Sequence, residues 1–187
     1  MNNQTKDAMS SALVSLLKKN PISKITVFDI TNKCHVNRQT FYYHFNDIYE
    51  LLEYTLDCQV KKRIDNKEFE KYNVQEAANY FRNVVEDQRV YVLNAYDSRN
   101  HAYYEQIIKK QFYPSIYKMI TNIDESKYVK ENNLEFIANA LTKIIVGLFM
   151  DWIANGAPDN DLNDWDRLQL IFNDESLKNI LLRFVNI

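Results

Sequence analysis

From Lys6 to Lys19 the apolar positions are Met9, Ala12, Leu13, Leu16 and Leu17. The spacing i, i+3, i+4, i+7, i+8 is one stripe of a helix. "NPISK" stops it, because Pro21 pushes Asn20 toward extended backbone. A second helix is predicted from Thr26, with Asp29 at the reciprocal position of a capping box. It ends near Cys34, with Val27, Ile30 and Cys34 on one face. Asn37 is a good N-cap for a third helix, Arg38 to about Phe45, whose inward face is Phe41 and Phe45. Asp47 with Glu50 repeats the capping pattern. It opens a long helix through Ile48, Leu51, Leu52, Leu56 and Val60.

Three short helices, the second and third joined by a tight turn, outline a helix-turn-helix. The pattern therefore places a helix-turn-helix domain at 1–47 and a second helical domain at 48–187. Beyond Val60, "KKRIDNKEFEKYN" reads as a solvated helix end and loop. Val74 to Glu86 and Gln88 to Ala95 are amphipathic, "DSRN" is a turn, and His101 to Thr121 is a helix expected to kink at Pro114. The most apolar helix spans Asn132 to Asn155. Its stripe is too wide for one wet face, so it is central in the monomer or buried again against another chain. Gly156 and Pro158 end it. A last helical region runs from about Leu162 to Val185, with a break near "NDES".

Composition excludes several classes. Two Gly and three Pro leave an all-β fold without its turn residues, whereas 46% hydrophobic residues suffice for a packed core. The fold class is all-α. Cys34 and Cys58 make no disulfide framework, and nothing at the start resembles a signal peptide. The longest apolar run, "IIVGLFM", is far below the roughly 20 residues of a bilayer span. A soluble cytoplasmic protein without membrane partners is expected. Residues 1–45 carry six Lys/Arg against Asp7 and Asp29, a net +4, while the remainder carries −6. A basic head on an acidic body fits nucleic-acid contact at one end.

The third helix has the chemistry for that contact. In a major groove its first turn meets base edges and its flanks meet phosphates. Arg38 can fork onto guanine O6 and N7, and Gln39 can pair with adenine N6 and N7. Thr40 can reach a base or a thymine methyl. Tyr42 and His44 suit phosphates, and Tyr43 suits either. Because one face must pack, one of the two tyrosines is also a candidate for partial burial against the first helix.

"KITVFDITNKCHVNRQTFYYHFNDIYELLEY" closely resembles the DNA-binding domain of the TetR family of bacterial transcription regulators, with its Thr-capped second helix and Tyr-x-x-Phe ending at Tyr42–Phe45. "GLFMDWIANGAP" resembles the end of the eighth helix in the DhaS-like subgroup of operon activators. The resemblance implies about nine helices, dimerisation through the last two, and a near-palindromic double-stranded operator. It places Thr26, Arg38, Gln39, Thr40, Tyr42, Tyr43 and His44 at or near DNA. The family usually has a phosphate-contacting Lys early in the fourth helix, where this chain has Ile48. Phosphate contact then rests more on Lys24, Tyr42 and His44.

Leu141, Ile145, Leu148, Phe149 and Trp152 are the expected homodimer interface, and Tyr54, Tyr80, Phe81, Tyr91 and Tyr96 the expected lining of an effector pocket. The implied function is a repressor released by a small-molecule effector. The alternative is an activator whose C-terminal domain answers to a protein coregulator. Enzyme chemistry has no footing: His35, His44 and His101 lack metal spacing, no Gly-rich phosphate loop exists, and Cys34 reads as a small core residue. No cofactor or metal is expected.

Overall fold

Helix α1, Asn2–Leu17, buries Met9, Ala12, Leu13 and Leu17 of the expected stripe and leaves Leu16 half-buried. The computed structural model describes residues 2–64, 86–158, 167–168 and 170–185. The expected helix 74–86, with Tyr80 and Phe81, and the start of the last region near Leu162 lie outside the described residues. A single 3-10 turn, Ile22–Lys24, follows Pro21 and leads to α2, Val27–Lys33. Next come α3, Arg38–His44, and α4, Ile48–Ile64. Ile22, Ile25, Ile30, Phe41, Phe45, Leu51 and Leu52 join the α1 residues in the buried core of the head. Truncating a fully buried ring such as Phe41 to Ala costs about 3–5 kcal/mol.

Local chemistry sets the helix ends. The Thr26 hydroxyl accepts from the Asp29 N–H at 3.2 Å, and the Asp29 carboxylate accepts from the Thr26 N–H at 2.8 Å. This is the expected capping box. Asn37 Oδ1 accepts from the Thr40 N–H at 2.7 Å and starts α3. At α4 the Asp47 carboxylate accepts from the Glu50 N–H at 2.8 Å. Glu50 reaches one residue further back than the pattern implied, to the Asn46 N–H at 2.6 Å.

The chain divides into two compact units. The first joins Met1–Arg63 with Gln88–Tyr104 and the second joins Ile64–Asp87 with Glu105–Ile187. In the first unit, α5, Arg89–Ala95, buries Tyr91 and Ala95. Asn94 Nδ2 donates to the Leu17 carbonyl at 2.8 Å, satisfying an orphan acceptor at the end of α1. A 3-10 turn, Ser98–Asn100, then precedes α6, His101–Thr121, which contains Pro114 and crosses the division between units.

The second unit has its core between α6, α7 (Glu131–Ala154) and α8 (Asp174–Phe184). Ile116, Ile120, Leu134, Ile137, Leu141, Leu177 and Leu181 meet there. Gly156 at φ 81° ends α7, with its N–H on Ile153 O at 2.9 Å and the Ala157 N–H on Trp152 O at 2.8 Å. That pair of bonds is a Schellman cap, as the glycine's position implied. The break at "NDES" is a helix start: Asn173 Oδ1 accepts from the Ser176 N–H at 2.9 Å. Among the described residues α7 is the one helix long and apolar enough to cross a membrane, and half of its apolar window is buried inside the protein.

Candidate nucleic-acid interface

Phe41 is fully buried and fixes one side of α3. The other side turns outward: Arg38, Gln39, Tyr42 and Tyr43 are exposed, while Thr40 and His44 are half-buried. Both tyrosines face solvent, Tyr42 at 49% and Tyr43 at 78% exposure, so neither is the one expected to pack against α1. Phe41 and Phe45 already supply the whole inward face. Tyr43 and His44 meet edge to face, with ring centroids 5.0 Å apart. Lys24, at the end of its 3-10 turn, is exposed, as are Lys18, Lys19 and Lys33.

Two threonines have less to offer than their type suggests. Thr26 Oγ1 donates to Asp29 Oδ2 at 2.6 Å, and that bond is the main reason the Asp29 carboxyl titrates below its ordinary range. Thr40 Oγ1 donates to Asn37 Oδ1 at 2.9 Å. With their protons committed, both hydroxyls meet an anion poorly, and Thr40 is left with its methyl for a thymine methyl.

The turn between α2 and α3 is tight. His35 stands at φ 55°. The Val36 N–H reaches Thr31 O at 3.0 Å, again closing a Schellman cap. Cys34 Sγ donates to Ile30 O at 3.1 Å, and burial pushes the thiol's pKa up, as suits a packing residue rather than a nucleophile. Ile48, where the resembled family carries Lys, is half-buried at the start of α4.

Residues 72–174 match the family TetR_C_8, described as "Transcriptional regulator C-terminal region". The chain belongs to this TetR-type family of transcriptional regulators. The match covers more than half of the sequence and lies wholly outside the three-helix head, so it is independent of the motif read there. The fold is also similar to a solved structure, "Dihydroxyacetone kinase operon activator DhaS". The TM-score is 0.57 and the identity 19%, over 97% of this chain and 96% of that chain. At that identity the likeness concerns the fold alone. No curated protein matches the chain significantly.

For a TetR-type regulator the other expected residues fall as follows. Tyr54 donates to Asp7 Oδ1 at 2.8 Å and its ring lies 5.5 Å from that of Phe45. Burial, then Asp7, holds its phenol well above the ordinary range. It ties α4 to α1 within the head. Tyr91 is buried in the first unit, and Tyr96 pairs with His101 Nδ1 at 3.1 Å. Leu141, Phe149 and Trp152 are buried within the single chain, while Ile145 and Leu148 are half-buried. The exposed apolar side chains nearby are Phe136 at 62%, Ile144 and Leu182, and the Phe136 and Phe184 rings lie 6.2 Å apart.

Phe28, in the first turn of α2 and 69% exposed, stands outside the expected set of contacts. Its signal was a large apolar side chain off the Val27–Ile30–Cys34 face. Among the described residues no group of His, Cys, Asp or Glu is arranged to hold a metal ion.

Proposed function

We propose that this regulator binds a near-palindromic operator in the cytoplasm as a homodimer, each copy laying α3 in the major groove. One observation carries the reading: a short helix anchored by Phe41 turns Arg38, Gln39, Tyr42 and Tyr43 outward together. Arg38 and Gln39 read base edges, Thr40 packs its methyl, and Tyr42, Tyr43, His44 and Lys24 hold the backbone. Phe28 packs on sugar or a thymine methyl beside them. The DNA-contacting surface lies within residues 1–47, and residues 48–187 regulate and dimerise.

The dimer face is proposed on the outer sides of α7 and α8, around Phe136, Ile144, Leu148 and Leu182. Apolar side chains exposed together on a helix pair are what a two-fold four-helix contact would cover. An effector acting near Tyr91 or Tyr96 would work on a segment bonded to α1 through Asn94, with a coupling of about 1–3 kcal/mol to operator affinity. In the proposed default the bound protein blocks transcription and a small molecule releases it. The similar solved protein is by name an activator, and a protein coregulator is the corresponding second reading.

Capture of genomic fragments by the full chain, with sequencing, tests the reading. A shared palindromic motif upstream of genes is expected. Fragments without a common motif would refute it. A reporter behind that promoter, with and without the protein, separates repressor from activator.

A further inference from the structure

Arg38 is the first residue of α3, and Tyr42 lies four residues on, one turn later on the same face. The Arg38 guanidinium carbon is 5.6 Å from the centre of the Tyr42 ring. Arg38 Nη2 also donates to the Tyr42 hydroxyl at 3.3 Å. The ring has its own support, since buried Phe41 meets it edge to face at 5.5 Å between centroids. Two links, Phe41 to Tyr42 and Tyr42 to Arg38, thus run from the core of the head to a guanidinium at its surface.

We propose that Tyr42 is a specificity-determining residue that positions Arg38 for a base edge, in addition to any phosphate contact of its own. The inference rests on the reading of α3 as the groove helix. An arginine on its long stem samples many rotamers, and a bidentate contact requires its plane in one orientation. Held against the Tyr42 ring and bonded to its hydroxyl, the guanidinium is restricted to fewer orientations before DNA arrives. The guanidinium has five N–H donors, so one bond to Tyr42 leaves enough for guanine O6 and N7. The Tyr42 hydroxyl accepts from Arg38 and keeps its own proton to donate, so ring and hydroxyl have separable roles. The ring orients Arg38, and the hydroxyl proton can meet a phosphate oxygen.

The test measures affinity of the full-length protein for the operator and its single-base variants, at fixed salt. The proteins compared are wild type, Arg38→Ala, Tyr42→Ala, Tyr42→Leu, Tyr42→Phe and the double variant Arg38→Ala/Tyr42→Ala. Tyr42→Leu keeps bulk without a π face, and circular dichroism confirms that each variant is folded. The expected result is that Arg38→Ala flattens discrimination at one base pair by about tenfold or more. Tyr42→Ala and Tyr42→Leu flatten it at that same pair, and the double variant is no flatter than Arg38→Ala. Tyr42→Phe retains the discrimination while affinity falls equally on all variants. If Tyr42→Ala and Tyr42→Leu lower affinity uniformly and multiply with Arg38→Ala, Tyr42 is a backbone contact only and the inference is overturned. A uniform loss from Arg38→Ala itself would overturn the groove reading of Arg38, and this inference with it.

Discussion

The Tyr49 hydroxyl donates to Asp97 Oδ2 at 2.9 Å, joining residues 48 apart in sequence. Tyr49 is the second residue of α4, directly after α3 and its exit turn. Asp97 is buried, and it also accepts from Arg99 N at 3.0 Å, Nε at 3.2 Å and Nη2 at 2.9 Å. The bond makes the segment 88–104 part of the head's own structure.

Breaking this clasp should weaken the head. Tyr49→Phe is expected to cost about 0.5–1.5 kcal/mol, and Asp97→Asn about 1–3 kcal/mol because it also loses the charge-assisted bonds. Urea unfolding followed by fluorescence measures both, and an unchanged midpoint for Asp97→Asn would rule the clasp out as a stabilising contact. The pH dependence has a definite sign. The Arg99 guanidinium, ahead of every other cause, lowers the Asp97 pKa to about 2, whereas an unfolded Asp titrates near 3.9. The contribution is therefore complete above about pH 4 and fades as pH falls toward 2. The stability gap between wild type and Asp97→Asn should close across that interval.

His35 offers an opposite test. Its φ of 55° is left-handed, a region that costs an L side chain roughly 1 kcal/mol and glycine almost nothing. His35→Gly should raise the melting temperature by at most about 2–4 °C, less what glycine's added unfolded-state entropy takes back, and leave operator affinity unchanged, because His35 lies in the turn before α3. A lower melting temperature would mean that the imidazole stabilises the turn by more than the backbone strain.

These two sites show what the sequence could disclose. The capping box of Thr26 and Asp29, the Asn37 cap, the glycine stop at Gly156 and the break at "NDES" rest on contacts over three to five residues, so residue type and spacing reveal them. The left-handed turn at His35 was hidden because "HVN" carries no glycine. The Tyr49–Asp97 bond was hidden because nothing local links residues 48 apart. Along α7 the apolar stripe was legible, but a stripe that wide does not tell which side chains its own chain covers. The structure buries Leu141, Phe149 and Trp152 and leaves Phe136 and Ile144 outside. On α3 the division was sharper, since only Phe41 and Phe45 were apolar without a polar end.

That division on α7 separates two kinds of substitution. Phe149→Glu places a charge in the core beside Phe112 and Trp152 and should unfold the protein or leave it insoluble. Phe136→Glu and Leu182→Glu should leave the fold intact by circular dichroism and yield monomers by sedimentation or light scattering. Dimers of unchanged stability in both would move the interface elsewhere.

In the proposed complex α3 reads operator sequence. The most direct test of this is the affinity of wild type and of Arg38→Ala/Gln39→Ala for the captured operator and for a scrambled duplex, at one salt concentration. Each good bidentate base contact contributes about 1–3 kcal/mol of discrimination. The double variant, still folded and dimeric, is expected to lose about 2–6 kcal/mol of preference for the operator and to keep its weak affinity for the scrambled duplex. A double variant that retains the wild-type operator preference would take sequence reading away from α3.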